Sequence, residues 1–591
     1  MSTKSHRTAQ STAQAQTNIS QKPRHFAWYW FTMPLIIAVY GLVYCECGEV
    51  LALNYGAGWD GVSYVQFALA PKEQLKTDSY RSQRILPALV VRSFAESAQA
   101  YSTSPKSYFG AWFQRWFFSQ DMQFVKMVAD IRPRARQGDS TPVRLRLPLI
   151  EVADKSGKHS VTVEPIIVYW FVLYSLVVMV LCGVVWAAIS ATLALSTFAR
   201  WLGFIGLFGN FAFLKMSLFY PTLTDLSALF IGLLTLWAYL SSRNWLVLLS
   251  GGLGMMIWPT AFYVAALLFL FPRTLAVAVT QQAVPDTPTN IVSIQTLLGT
   301  SSSRYALVGS GIALLCTLWY VYIAPQPFPL VEMPGRFSAI AGIIAFVCTV
   351  FLALRVLLQL AIEQGFLQNL ARAVRQKSAF MPLVTRCVLL CAVWVLGWFV
   401  RQTFINPQAS VPLQLTQFIG GSFSLAVTKP FLSVIADVAY FGPIMLLLIF
   451  SFHRIVSYIT RLGSGFVIVF GITILVGCIM TESRQLTNLL PVIVVAVVAA
   501  ANTEQRSALV LGFMGIAALG FSKLWIPLNF AGMHDYVMSG GSYANFPIQR
   551  YFMNHGPWMT WESYAYLVSG VVVCGIIVTL LLRLRGQSQT V

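Results

Sequence analysis

Long apolar runs separated by short polar connections fill most of the chain. The first runs from Trp28 to about Leu53. Others occupy roughly 166–198, 202–220, 223–240, 244–272, 304–324, 337–361, 381–403, 431–452, 464–480, 486–500, 507–527 and 563–582. Many approach the ~20 residues a helix needs to cross a ~30 Å hydrocarbon core. They are continuous rather than ~10-residue alternations, which argues against a transmembrane barrel. The pattern predicts an all-α polytopic membrane protein with about twelve spanning helices.

One run breaks the pattern. Gly251, Gly252 and Gly254 precede Trp258-Pro259 in the middle of 244–272. Each arm has about 14 residues, or ~21 Å at 1.5 Å per residue, too short to span. A short helical hairpin broken at Trp258-Pro259 is expected, with one long kinked span as the alternative.

Polar sequence is concentrated near the start. Residues 1–27 are rich in Ser, Thr and Gln with several basic residues, which predicts a disordered tail. Residues 28–53 then read as the first transmembrane helix. A stretch at 54–165 follows, with amphipathic, aromatic-rich segments at 85–100 and 108–128. Such segments suit helices lying at a membrane interface. Residues 143–153 and 159–164 alternate apolar and polar about a Gly-containing turn, which predicts a small β-hairpin. The first loop is therefore expected to be structured, with 166–582 forming the helical bundle and 583–591 a short tail.

Composition agrees with this division. Apolar residues make up 57% of the 591 residues, charged residues only 10%, and mean hydropathy is +0.67. Forty Lys and Arg against 21 Asp and Glu leave a net charge of +19. In a membrane protein that excess belongs to cytoplasmic loops, and nothing suggests nucleic-acid binding. Basic residues fall at 1–27, Arg243, the 363–380 loop, 453–461 and the C-terminal Arg583 and Arg585. Placing them all inside requires 244–272 to enter and leave on one side. It also puts 54–165, 404–430, 481–485 and 528–562 outside, with both termini in the cytoplasm. The nine cysteines lie mostly in apolar runs and read as packing residues.

Candidate chemistry gathers on the expected outer side. Asp60 lies just past the first helix, between Trp59 and Gly61, with Tyr64 close by. A carboxylate there can take a proton from a hydroxyl while the Arg81/Arg84 pair holds a phosphate. Lipid headgroups are the plainer ligand for that pair. Lys215 and Asp225 flank Tyr220-Pro221-Thr222. A membrane-embedded lysine is functional by default, though one near a helix end also snorkels. Glu482 and Arg484 share a short turn, either as part of a site or as a local ion pair. The 528–562 segment carries His534 among aromatic residues, as a cover for a site or an ordinary aromatic belt. Asp437 inside an apolar run is either a relay or a packing group. No phosphate-cradling glycine loop and no metal motif is present, so no cofactor is specified and a divalent ion is not indicated.

The first helix followed by Trp59-Asp60-Gly61-x-x-Tyr64 resembles the start of GT-C superfamily membrane glycosyltransferases. Asp225 in Tyr220-Pro-Thr-Leu-Thr-Asp225, the Gly-rich break before Trp258-Pro259-Thr260, and Thr481-Glu-Ser-Arg484 before Leu489-Leu-Pro491 resemble further segments of bacterial members. Asp60 is single where several such enzymes carry an acidic pair. The resemblance implies a bacterial inner-membrane enzyme that moves a sugar, with inversion, from a polyprenyl-phosphate donor to a cell-envelope acceptor, whether glycan, lipid or protein. It implies Asp60 as general base, Asp225 as the second acid, and Arg81, Arg84, Lys215 and Arg484 around the donor phosphate. Trp59, Tyr64, Glu482 and His534 would support them. The alternatives are a transporter or flippase of lipid-linked sugars and a non-catalytic envelope assembly protein.

Overall fold

The computed structural model describes residues 28–48, 60–77, 81–102, 150–154, 157–161, 165–273, 301–322, 336–358, 377–404, 415–502, 508–526 and 559–588, with Gly556 and a few positions between 361 and 375. The expected 1–27 tail, the 108–128 helix, Trp59 and His534 lie outside the described residues.

Among the described residues four helices are long and apolar enough to cross a membrane: Trp170–Thr192, Ala339–Leu358, Phe380–Val400 and Trp561–Leu582. The number rises to six if each of two bent helix pairs counts as one span. The chain is a helical membrane protein, but about twelve full-length spans are not supported. Apolar composition continues through positions where the backbone breaks. The 431–452 run divides at Gly442-Pro443 into Leu432–Phe441 and Ile444–Phe450, with Gly442 at φ +80°. The 202–220 run bends by 53° between Thr197–Phe208 and Ala212–Phe219. Asp225–Leu240 has 16 residues, about 24 Å of helix. The final helix runs from Trp561 to Ser588, past the tail boundary expected at 583.

The 244–272 run is a hairpin of two 11-residue helices, Asn244–Gly254 and Thr260–Leu270. A Cβ on Gly251 would lie 2.7 Å from the Ala265 Cβ, and one on Gly254 would lie 2.9 Å from the Ala261 Cβ. The contacts pair outward from the tip, so the arms fold back on each other. Small residues allow that close approach. The first helix, Tyr29–Cys47, packs antiparallel on Pro165–Thr192 by the same means. Gly41 faces Leu176, and Gly183 faces Ile37 and Pro34. The segment joining these helices therefore starts and ends at one end of the bundle. Within it lie the helices Asp60–Leu69 and Leu86–Ser102. The strands Ile150–Asp154 and Gly157–Val161 pair antiparallel, with Ile150 opposite Val161.

Leu490–Ala501 is the centre of the bundle. It is apolar on every face and almost wholly buried, as a helix enclosed by other helices must be. Lys377–Phe404 is the opposite case. Phe380, Val388, Trp394, Leu396, Trp398 and Phe399 are all exposed, a surface suited to lipid.

Three turns and Gly556 meet at the end where the first helix finishes. Arg81–Arg84 is a single turn of 3-10 helix. The backbone N–H of Leu86 donates to the Met256 carbonyl at the hairpin tip (3.1 Å). The Thr260 hydroxyl bonds the Asn488 side-chain oxygen (3.3 Å). Gly556 lies on the Thr481 carbonyl, where a Cβ would come within 2.1 Å.

Candidate functional site

Asp60 opens the helix Asp60–Leu69, where a carboxylate complements the unsatisfied N–H groups and dipole of the first turn. Gly61 determines how close that helix comes to the Tyr220–Thr224 turn. Its N–H donates to the Tyr220 hydroxyl (3.2 Å). A Cβ at Gly61 would stand 1.9 Å from Thr222 Oγ1, so a larger residue does not fit. The turn is braced from Pro165–Thr192. Ser175 donates to the Pro221 carbonyl at 3.4 Å. The Tyr174 and Ser227 hydroxyls lie 2.9 Å apart. Asp225 begins the next helix, buried.

Arg484 joins the two acids. Its Nε and Nη2 donate to Asp225 Oδ1 and Oδ2 at 3.3 and 3.4 Å. Its Nη1 stands 3.6 Å from Asp60 Oδ2, and its Nε 3.7 Å from Glu482 Oε1. Gln485 donates to the other Glu482 oxygen at 3.3 Å. Arg81 meets the other Asp60 oxygen, donating from Nη2 to Oδ1 at 2.8 Å. On a 3-10 turn, residues three apart eclipse, so Arg84 projects with Arg81. The Arg84 guanidinium stacks 3.8 Å from the centre of the Trp258 ring.

The electrostatics follow from this arrangement. Burial pushes the Asp60 carboxyl up, but Arg484 and Arg81 together outweigh it and hold the group below its ordinary 3.8. Burial opposes the charge on Arg484, and Asp225, Glu482 and Asp60 reverse that and hold it firmly protonated. Burial raises the Tyr64 phenol. Three carboxylates and the guanidiniums of Arg81 and Arg484 sum to −1. Arg84 brings the balance to zero.

The structure thus brings together Asp60, Asp225, Arg81, Glu482 and Arg484, with Arg84 and Tyr64 beside them. Lys215 is placed differently from the sequence expectation. It is buried, donates to the Ile526 carbonyl at 3.3 Å and lies over the Phe219 ring, and none of the three carboxylates pairs with it. Its position on the buried face of a bent helix explains this: packing directs its side chain. Asp437 is buried beside Gly477, with Oδ1 lacking a hydrogen-bond partner. Among the described residues no group of three His, Cys, Asp or Glu side chains is arranged to hold a metal ion.

Several contributors escape a sequence reading. Tyr220 and Thr222 act through one close approach to Gly61, and Trp258 acts through Arg84. The Trp258-Pro259 dipeptide marks a helix break but carries no sign of a cationic partner some 170 residues earlier in the chain. Compared with known proteins, this chain matches no family model, no curated protein and no solved structure.

Proposed function

We propose that the chain is a membrane glycosyltransferase of the GT-C kind, using a polyprenyl-phosphate sugar at the outer face of a bacterial inner membrane. The acceptor is a hydroxyl of an envelope glycan, lipid or protein. Asp60 takes the proton of that hydroxyl as its oxygen attacks the anomeric carbon. The bond from that carbon to the phosphate oxygen breaks, the lipid phosphate leaves, and the configuration inverts. Arg81, Arg84 and Arg484 offset the charge that develops on the leaving phosphate. Asp225 and Glu482 hold Arg484 in position.

One observation carries the reading. An ionised carboxylate, its side chain 40% exposed, stands between two guanidiniums at a helix end. A general base needs both charge and access, and a phosphate needs planar, directed donors. Buried Asp437, with its unpartnered oxygen in an apolar helix, favours the second reading, transport of a lipid-linked sugar.

The deciding experiment replaces Asp60 with Asn. Asn has nearly the same volume but takes up no proton at neutral pH. Transfer from a lipid-linked sugar should fall by about 10²–10⁴-fold, with the protein still inserted. Near wild-type transfer by a normally expressed Asp60→Asn protein would remove the general base and the enzyme reading with it.

A further inference from the structure

We infer that Arg243, Arg273, Arg386 and Arg461 form a site for the phosphate headgroup of an anionic phospholipid, at the end of the bundle opposite Asp60. Such a site is independent of sugar transfer.

The open end of the hairpin brings the four residues together. Arg243 directly precedes the first arm, and Arg273 follows the second. Arg273 Nη1 donates to the Leu240 carbonyl at 2.6 Å, at the end of the helix that Asp225 begins. The Arg386 guanidinium lies 5.9 Å from the centre of the Phe269 ring, near the end of the second arm. Its helix, Lys377–Phe404, runs from there toward the tip, where Gly397 meets Met255. Gly463 packs on Arg273, where a Cβ would come within 3.1 Å of the Arg273 Cα. Arg461 stands on the 3-10 turn just before Gly463.

Depth makes these charges unusual. Asp225–Leu240 has 16 residues, about 24 Å, and the hairpin arms have 11 each, about 16 Å. A hydrocarbon core is ~30 Å thick. Measured from Asp225 at one interface, the helix ends that carry Arg243 and Arg273 stop several ångströms short of the other. Arg386 lies about 9 Å along its helix past Phe380, where the apolar span begins. A cation at such depth is costly until it is paired or wetted. Headgroups drawn in over short helices supply the counter-charge, as local thinning of the bilayer allows.

The chemistry selects a phosphate. Arg243, Arg386 and Arg461 lie over the rings of Trp237, Phe269 and Tyr458, at 4.7, 5.9 and 4.9 Å. Stacking occupies the face of a guanidinium and leaves the N–H donors at its edge for an anion. Among the described residues no carboxylate pairs with any of the four arginines. Planar, directed donors with surplus positive charge fit a phosphate. The direction of approach selects a lipid. One turn beyond Arg386, Leu389 is exposed and Leu390 is buried, so Arg386 stands where packed surface meets lipid-facing surface. A soluble anion would have to leave water to reach it, whereas a lipid phosphate arrives from the bilayer.

Native mass spectrometry of the full-length protein in neutral detergent tests this, because it resolves each lipid bound. The protein is titrated with phosphatidylglycerol and, separately, with phosphatidylcholine of the same chains. Wild type should bind the first phosphatidylglycerol at least about tenfold more tightly than phosphatidylcholine. Arg243→Gln and Arg461→Gln, both at exposed positions, and Arg386→Gln should each weaken that binding by about fivefold, the share of one arginine near a membrane surface. Arg386→Lys keeps the charge but loses the planar fork, so it should weaken binding less than Arg386→Gln. Arg92→Gln is the control. Arg92 donates to Glu96 and to the Leu69 carbonyl, near Asp60, and its loss should leave lipid binding unchanged. Equal affinity for the two lipids, binding within about twofold of wild type in all three Gln variants, or an equal loss in Arg92→Gln would each overturn the site. Displacement of phosphatidylglycerol by an equal concentration of inorganic phosphate would mark a soluble-anion site and overturn the lipid assignment.

Discussion

Arg484 grips Asp225 through two parallel bonds of 3.3 and 3.4 Å, although the two residues are 259 positions apart. Both side chains are mostly buried, at 14% and 6% exposed. A buried pair of this kind gives little net stability, yet removing one partner strands the other charge. Arg484→Ala should lower unfolding stability in detergent by about 3–5 kcal/mol. Arg484→Ala with Asp225→Asn should recover part of that, because the stranded carboxylate is gone. A single variant as stable as wild type would mean that solvent, not Arg484, neutralises Asp225.

Asp60 sets the acid side of the pH profile. Its folded pKa lies below the ordinary 3.8, because Arg484 and Arg81 outweigh its burial. Its contribution to stability is therefore present above the unfolded value and lost as pH falls through the folded one. On the account of Asp60, kcat/KM should not decline between about pH 7 and pH 5. Arg81→Ala removes one opposing charge and leaves the burial, so the acid limb should move upward. A wild-type limb near pH 6 that Arg81→Ala does not move would take Asp60 out of the base role.

Much of the site is legible in the sequence because its residues sit at punctuated places. Asp60 and Asp225 open helices, Arg81 and Arg84 are three apart in one turn, and Glu482 and Arg484 share another. Loop charge predicts that these turns share one side. It says nothing of which atoms meet, so the stack of Arg84 on Trp258 and the seat of Gly61 on Thr222 come only with tertiary structure. Lys215 is a charge inside an apolar run whose surroundings the sequence does not give: it donates to the backbone carbonyl of Ile526 and lies over the Phe219 ring. The span count fails for a related reason. Hydropathy reads composition, and Gly442-Pro443 interrupts the backbone without interrupting the apolar run. The hairpin is legible because glycines and Trp258-Pro259 mark both its close packing and its tip.

The hairpin should tolerate no bulk along its seam. Gly251 faces Ala265 at a distance where even a methyl group must displace its neighbour. Gly251→Leu should separate the arms and lower stability by about 1–3 kcal/mol, as overpacking does. Gly252→Leu is the control: the nearest atom to its Cβ would be Val393 Cγ1 at 3.6 Å, an ordinary contact. Thermal unfolding of the two variants distinguishes a packed hairpin, in which only the first is unstable, from two independent helices, in which both behave alike.

Gly61 gives the sharpest test of how Asp60 is placed. A Cβ there would meet Thr222 Oγ1 at 1.9 Å, Thr222 Cβ at 2.7 Å and Tyr220 Cε2 at 3.1 Å. Gly61→Ala cannot be absorbed by a rotamer change alone, because one of these atoms is a Cβ fixed to the backbone. The start of the Asp60 helix must move, weakening the bond from the Gly61 N–H to the Tyr220 hydroxyl. A shift near 1 Å at a reacting group can cost about 10²-fold in rate, so Gly61→Ala should lose most transfer. Adding Thr222→Ala removes Oγ1 but leaves the Cβ, so the double variant should recover part of the rate and not all. Tyr220→Phe deletes the hydroxyl without adding volume. It should lower transfer less than Gly61→Ala, because the close packing that fixes the helix start remains. The order wild type, Tyr220→Phe, the double variant and Gly61→Ala, from fastest to slowest, checks the geometry. Gly61→Ala at wild-type rate would mean that Asp60 owes nothing to its approach to Thr222.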